Sequence, residues 1–145
     1  MRREEFVLDG SVAMAWFFAD EVNDYANSVL SNLATGRAVV PSLWPLEVAN
    51  TILVGERRKR STEAQAAAWL GILESLSIEI DGETMARAWS DTLALGRSRN
   101  LSAYDAAYLE LAMRRGLPLA TLDEKLKSAA LAVGVVIHPG SGGAG

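Results

Sequence analysis

The chain has 145 residues, of which 50% are hydrophobic, and this length and composition are typical of one domain with its own core. It contains no cysteine, which excludes disulfides, thiolate metal sites and a cysteine nucleophile. The net charge of −4 and the pI near 5.0 argue against a protein that binds nucleic acid through a broadly basic surface.

The first residues do not resemble a targeting segment. Glu4 and Glu5 stand where a signal peptide needs an apolar run, and no apolar stretch approaches the roughly 20 residues that span a bilayer. We therefore expect a soluble, cytoplasmic protein that does not contact a membrane.

The first part of the chain alternates short apolar runs with amphipathic stretches. Gly36 closes one of these stretches as a helix cap, and Pro45 fits only the first turn of another. The elements predicted here are a strand at 6–8 that stops at the turn pair Asp9-Gly10, a helix over 22–35, a strand at 38–40 and a helix from about 45 to 58.

The same alternation continues to the end of the chain. Thr62 and Gln65 have capping-box spacing, and so do Thr121 and Glu124. The predicted elements are a helix over 66–76, a strand at 78–80, a helix over 84–95 with the apolar stripe Met85, Ala88, Trp89 and Leu93, a connecting segment over 96–100, a helix over 102–115 ended by Gly116, a strand at 117–121, a helix over 123–132 and an edge strand at 135–137.

Short apolar strands separated by helices indicate βαβ units and a mainly parallel sheet of four to five strands that is covered by helices on both faces. The predicted fold class is therefore a three-layer α/β/α sandwich. We expect one domain over residues 1–139 and a disordered tail over 140–145, because the tail is rich in glycine and serine.

Four acids occupy equivalent places in this layout. Asp9 ends the first strand, Glu47 follows the second, Asp105 opens a helix and Asp123 follows the fourth strand. The carboxyl ends of parallel strands form one edge, where such folds build ligand sites. Each acid also has a purely structural interpretation, as a turn residue, a helix cap or an exposed acid in a first helical turn.

Carboxylates gathered at one edge repel one another unless they are protonated or bridged by a cation. Oxygen ligands without histidine or cysteine favour Mg²⁺ or Mn²⁺ over zinc. The acid pattern therefore predicts a hard divalent cation as the occupant.

Other distinctive residues favour structural roles. The basic run Arg57, Arg58, Lys59 and Arg60 lies near a predicted helix end, where cations complement the dipole, and is the best candidate for contacts with phosphate or a partner. His138 is the only histidine and lies near a terminal strand. The four tryptophans fall within apolar helical patterns, which favours packing over base stacking.

Four short segments resemble the motifs of PIN-domain ribonucleases of the VapC toxin type. Residues 7–11 (VLDGS) and 46–50 (LEVAN) are similar to the first two acidic motifs, and 102–109 (SAYDAAYL) and 120–126 (ATLDEKL) to the third and fourth. The match covers about residues 5–138. Gly10 is a mild departure at a variable position.

The resemblance implies that Asp9, Glu47 and Asp105 bind metal and that Asp123 binds a second ion or acts through water. It implies supporting roles for Ser11, Asn50 and Thr121, which would orient carboxylates and hold water. The implied reaction is endonucleolytic hydrolysis of RNA by a metal-activated water, leaving a 5′-phosphate and a 3′-hydroxyl.

Two protein partners are expected. The resemblance implies a cognate small antitoxin that covers the acidic cleft with a cationic side chain. The apolar composition of so small a chain favours a homodimer.

The sequence leaves rival functions open. A receiver-like domain would need adjacent acids after the first strand and a lysine after the last, and a dehalogenase-type phosphatase would need an acid where Ser11 stands. A catalytically silent scaffold of the PIN type that binds RNA or protein, and a DNA nuclease of the same fold, remain alternatives.

Overall fold

The computed structural model describes residues 4–18 and 22–140. Its elements in chain order are β1 (Glu5–Leu8), α1 (Gly10–Phe17), α2 (Asp24–Asn32), β2 (Arg37–Val40), α3 (Trp44–Arg57), α4 (Glu63–Ser75), β3 (Ile78–Ile80), α5 (Thr84–Arg87), a π-helical turn (Ala88–Thr92), α6 (Leu93–Arg99), α7 (Ala103–Arg115), β4 (Leu119–Ala120) and α8 (Glu124–Ala132).

The strands form one parallel sheet in the order β3-β2-β1-β4. The chain runs from β1 through β2 to β3 in one direction and then returns to add β4 beside β1. Right-handed crossovers therefore place α1 to α4 on one face and α5 to α8 on the other. Helix α1 packs against α2, α3 and α4, whereas α7 packs on β1 and β4 and beside α8. The predicted three-layer fold with a mainly parallel sheet of four to five strands is confirmed, and the described residues form four strands.

The core lies where the central strands meet these layers. Phe6, Val7 and Leu8 are completely buried, as are all three residues 38–40 of β2. A strand covered on both faces needs apolar residues at every position, so the uninterrupted runs predicted these strands correctly. From α7, Tyr108 and Leu109 complete this core.

Helix α1 is the element that the sequence did not reveal. Asp9-Gly10 was expected to form a turn, but a helix begins at Gly10, directly after β1. Because α1 is enclosed by three other helices, its sequence has no continuous polar face and lacks the amphipathic pattern on which helix prediction depends.

The predicted apolar stripe of the 84–95 helix is wrong in orientation. Trp89 is 92% exposed and Met85 is 68% exposed, whereas Thr84 and Thr92 are buried. The hydroxyl of Thr84 accepts a hydrogen bond from the backbone N–H of Ser42, which holds this side of the helix inward. The helix also extends through the predicted connection as far as Arg99.

The other tryptophans pack as expected. Trp44 and Trp69 are buried. Trp16 is half-buried, and its indole N–H donates to the carbonyl of Ala26 at 2.7 Å.

The C-terminal region departs from the sequence prediction in four details. The strand at 117–121 contracts to Leu119–Ala120, and the expected edge strand reduces to a single bridge between Leu119 and Ile137. The capping box expected from Thr121 is absent, because Asp123 caps α8. Gly140, which was placed in the tail, is buried, and residues 141–145 lie outside the described residues.

His138 has the structural role expected for it. Its ring is fully buried beside Phe6. The Nδ1 atom accepts a hydrogen bond from the backbone of Gly140, so Nε2 carries the proton and donates to Glu4 at 2.6 Å. The imidazole thus fastens the end of the described chain to the sheet.

Within residues 4–18 and 22–140, no helix is both long enough and apolar enough to cross a membrane.

Candidate active site

The fold brings the four predicted acids to the same edge of the sheet. Asp9 follows β1 as the N-terminal cap of α1, and Glu47 lies in the first turn of α3, after β2. Asp105 lies in the first turn of α7, and Asp123 follows β4 as the cap of α8. Since β1, β2 and β4 are parallel, these positions all lie at or near the carboxyl edge.

Asp9 is the buried centre of this arrangement, with 5% of its surface exposed. Its Oδ2 atom accepts hydrogen bonds from the hydroxyls of Ser11 at 2.6 Å and Thr121 at 2.8 Å. Both bonds fall on the same oxygen, and among the described residues no side chain donates a hydrogen bond to Oδ1. Burial is the main cause that raises the pKa of Asp9, and the charges of Asp105 and Asp123 raise it further.

Ser11 and Thr121 also connect the elements around Asp9. The Ser11 hydroxyl accepts the backbone N–H of Leu122, and that of Thr121 accepts the backbone N–H of Asp123. Two hydroxyls therefore fix the orientation of Asp9 and join α1 to the segment that follows β4.

Glu47 is held by a residue to which the sequence analysis gave no role. The buried Tyr108 hydroxyl donates a hydrogen bond to Glu47 Oε1, and the backbone of Gly10 interacts with the same hydroxyl. Burial, followed by the charges of Asp9 and Asp105, raises the pKa of Glu47. Burial and the Glu47 charge raise the pKa of the Tyr108 phenol, so that it stays a proton donor.

Gly10 lies beside both Glu47 and Tyr108. A Cβ atom at position 10 would lie 3.4 Å from Glu47 Oε1 and 3.6 Å from the Tyr108 hydroxyl, which are ordinary van der Waals distances. The arrangement of the carboxyl group and the phenol therefore does not depend on a glycine at this position.

Asp105 and Asp123 combine a capping context with a place in the acid cluster. The Ser102 hydroxyl accepts the backbone N–H of Asp105 at 3.1 Å, and Asp123 accepts the N–H of Leu126 at 2.9 Å. Burial and the charge of Asp123 raise the pKa of Asp105. The Asp123 carboxylate therefore caps α8, whereas at Asp105 only the backbone N–H takes part in the cap of α7.

The donor chemistry fits a hard divalent cation, because every group is a carboxylate and the pKa shifts show that their negative charges oppose one another. In the described part of the chain, however, no group of three or more Asp, Glu or His side chains is arranged as a ready metal site. Like charges separate when no cation bridges them. Binding of an ion would therefore require rotation of some of these side chains.

The remaining predicted residues lie outside this hydrogen-bonded centre. Asn50 is exposed one turn beyond Glu47 on α3, and in the described chain its side chain forms no hydrogen bond with the four acids. Arg57, Arg58 and Lys59 are exposed at the end of α3, and the Arg60 guanidinium lies 3.9 Å from the ring centre of Phe18.

One signal in the sequence points to Tyr108. Residues three apart share a helix face, so a tyrosine three positions after Asp105 on α7 projects towards the same side as that acid. The partner on α3 is 61 positions away, and only the fold shows that it is Glu47.

Comparison with known protein families identifies the class of protein to which this fold and its cluster of acids belong. The family model of the PIN domain matches residues 6–131, and the chain belongs to this family. This confirms the family inferred from the four motifs.

Individual relatives agree with this assignment. The chain is 29% identical over 122 residues to Ribonuclease VapC3 of Pyrobaculum aerophilum, covering 84% of this chain and 92% of that protein. The crystal structure of PAE2754 from Pyrobaculum aerophilum superimposes with a TM-score of 0.63 at 22% identity, covering 88% of this chain and 87% of that one. The latter similarity shows a shared fold.

Proposed function

We propose that this protein is a Mg²⁺- or Mn²⁺-dependent endoribonuclease and the toxin of a toxin–antitoxin pair. The observation that carries the proposal is the meeting of Asp9, Glu47 and Asp105 at one edge of the sheet. The charge of Asp105 raises the pKa of Asp9, and the charges of both raise the pKa of Glu47. The similarity to a protein named Ribonuclease VapC3 supports RNA as the substrate.

In this proposal the three acids, with Asp123 nearby, hold the cation. A bound ion of this kind lowers the pKa of water and stabilises the leaving oxygen of a phosphodiester. Ser11 and Thr121 orient Asp9 through its Oδ2 atom. Tyr108 orients Glu47 in the same manner. No nucleophile from the protein is needed.

The test compares cleavage of defined RNA and DNA oligonucleotides of the same sequence in Mg²⁺ or Mn²⁺. Wild-type protein is expected to cut RNA within the strand, and folded Asp105→Asn protein is expected to lose at least about a hundredfold in rate, because even outer contacts of metal sites contribute 10- to 100-fold. Equal cleavage by the variant would refute the proposal. Cleavage of DNA alone would favour the DNA nuclease, and no cleavage by the wild type would favour a silent scaffold.

Tyr108→Phe tests the positioning of Glu47. Loss of the phenol O–H leaves Glu47 without its donor, and we expect roughly tenfold more Mg²⁺ to be needed for half-maximal cleavage, a typical effect for an outer contact of a metal site. The aromatic ring still fills the core, so the melting temperature should change little.

Titration of cleavage against Mg²⁺ separates positioning from a packing role, because a packing defect lowers the melting temperature without changing the metal requirement. An unchanged requirement in folded Tyr108→Phe protein would contradict the assigned role.

The same site suggests how a partner would act. An acidic cleft attracts a cationic side chain, and an antitoxin arginine in it would neutralise the carboxylates that the cation otherwise neutralises. Exposed apolar residues such as Trp89 and Met85 offer a surface for a homodimer. The exposed Arg57, Arg58 and Lys59 are proposed to contact RNA or the partner, and the site of action is proposed to be the cytoplasm.

A further inference from the structure

A pocket lies directly beside the acid cluster and shares one wall with it. Its volume is about 450 Å³, within the range that small-molecule sites occupy. The lining residues are Leu43, Leu46, Glu47, Asn50 and Tyr104. Glu47 thus borders both the acid cluster and this pocket, so one bound molecule can contact both.

Two helices of the active edge build the pocket. Leu46, Glu47 and Asn50 lie in the first two turns of α3, and Leu43 immediately precedes this helix. Their spacing by three and four residues places them on one side of the helix. From α7, the pocket is lined by Tyr104, which immediately precedes Asp105 in the first turn of that helix.

The apolar groups that border the pocket are exposed to an unusual degree. Tyr104 is 65% exposed and Leu46 is 75% exposed. Neither side chain is needed to complete the core, and both leave apolar surface in water beside a group of carboxylates. An aromatic ring in such a place is available to a ligand.

We propose that this pocket receives one unpaired base of the RNA strand, next to the phosphodiester that is cleaved; this inference rests on the proposed function. The ring of Tyr104 stacks on the base, and Leu46 covers its apolar surface. The amide of Asn50 both donates and accepts hydrogen bonds, so it reads the edge of the base. Asn50 is then a specificity residue and not a support for the acids.

Charge decides between a base and a phosphate as the occupant. Glu47 repels an anion from this pocket, whereas a base is neutral, flat and aromatic. The phosphate is therefore expected at the cation of the acid cluster, and the adjacent base in the pocket. A hydrophobic side chain of a protein partner is the rival occupant, and the experiment distinguishes the two.

The experiment uses RNA oligonucleotides that differ only in the bases flanking the cut. For Tyr104→Ala we expect kcat/KM to fall at least about fivefold on the preferred RNA, since one stacked base commonly contributes at least this much. The preference at one flanking base should weaken at the same time. Tyr104→Phe retains the ring and should behave as the wild type. Leu131→Ala removes an exposed apolar side chain that does not line the pocket and should also leave kcat/KM unchanged.

A second measurement reports binding without cleavage. A fluorescent purine analogue is placed beside a non-cleavable linkage, and its emission should be quenched on binding to wild type and Tyr104→Phe but much less with Tyr104→Ala. Wild-type rate, preference and quenching in Tyr104→Ala would overturn the inference, as would a loss confined to binding of a protein partner. Absence of RNA cleavage by the wild type would instead overturn the proposed function.

Discussion

Asp9→Asn is expected to make the metal-free protein more stable and to inactivate it at the same time. Burial and the neighbouring acids raise the pKa of Asp9, so its charged form is disfavoured in the folded state. An asparagine keeps an oxygen that accepts from Ser11 and Thr121 and directs an N–H group towards the other acids. The expected gain is about 1 to 2 kcal/mol, typical when a functional site is relieved of strain.

A competing effect is smaller. As the cap residue of α1, Asp9 places a negative charge at a helix N-terminus, which favours the charge by about 0.3 to 1 kcal/mol. The pKa of Asp9 is nevertheless raised, so burial and repulsion outweigh the helix dipole. We therefore expect the melting temperature to rise by about 3 to 8 °C in the absence of metal, while RNA cleavage falls at least about a hundredfold.

Thermal melts in EDTA and in Mg²⁺, together with RNA cleavage, check this prediction. Mg²⁺ should raise the melting temperature of the wild type but not that of Asp9→Asn, since the variant has lost a ligand. Asp24→Asn is the matched control, because Asp24 is an exposed acid at the start of α2. It should alter neither property appreciably. A lower melting temperature for metal-free Asp9→Asn would show that the two hydrogen bonds need a charged acceptor.

The sequence predicted the sheet well because its signal is local. Phe6, Val7 and Leu8 are apolar at every position, and a strand buried on both faces requires this. Helix α1 follows directly after them but is enclosed by other helices, so it carries no periodic polar face. The predicted orientation of Trp89 was wrong for the opposite reason. The orientation of its helix depends on a hydrogen bond between Thr84 and Ser42, which lie 42 positions apart in the chain.

The candidate site was likewise predictable from the sequence only in part. The positions of the acids follow from strand ends and helix starts, which the sequence marks. The partners of the acids depend on contacts between elements far apart in the chain, such as the hydrogen bond between Tyr108 and Glu47. Thr121 illustrates the difference, because its spacing predicted a helix cap whereas its hydroxyl donates to Asp9, 112 positions away.

Arg114→Met is expected to give the largest loss of stability. The guanidinium of Arg114 lies 2.7 Å from Glu110 and 2.8 Å from Asp81, and only 13% of its side chain is exposed. Both acids are nearly inaccessible, at 5% and 4% exposure respectively. Among the described residues, removal of the arginine leaves the buried Glu110 without its cation and leaves Asp81 with only the Arg115 guanidinium, 3.9 Å away. Loss of one partner of a buried ion pair typically costs about 3 to 5 kcal/mol.

The loss should depend on pH in a defined direction. The hydrogen bond from Arg114 is the main cause that lowers the pKa of Asp81 in the folded protein. A carboxyl group with a lowered pKa stabilises the fold above its unfolded pKa, near 3.9, and this contribution is lost as the pH falls through the folded value. The difference between wild type and Arg114→Met should therefore be full at pH 7 and shrink below about pH 4.

Arg115→Met is the matched control, because the neighbouring arginine forms an ion pair with Glu79 in which both side chains are about 30% exposed. Partly exposed pairs contribute about 0 to 1 kcal/mol. Urea unfolding at pH 7 and at pH 3.5 measures both variants. If Arg114→Met cost no more than Arg115→Met, or cost as much in acid as at neutral pH, the stabilising role of the buried cluster would be refuted. The basic pair at the end of α7 would then be free to serve a partner or RNA.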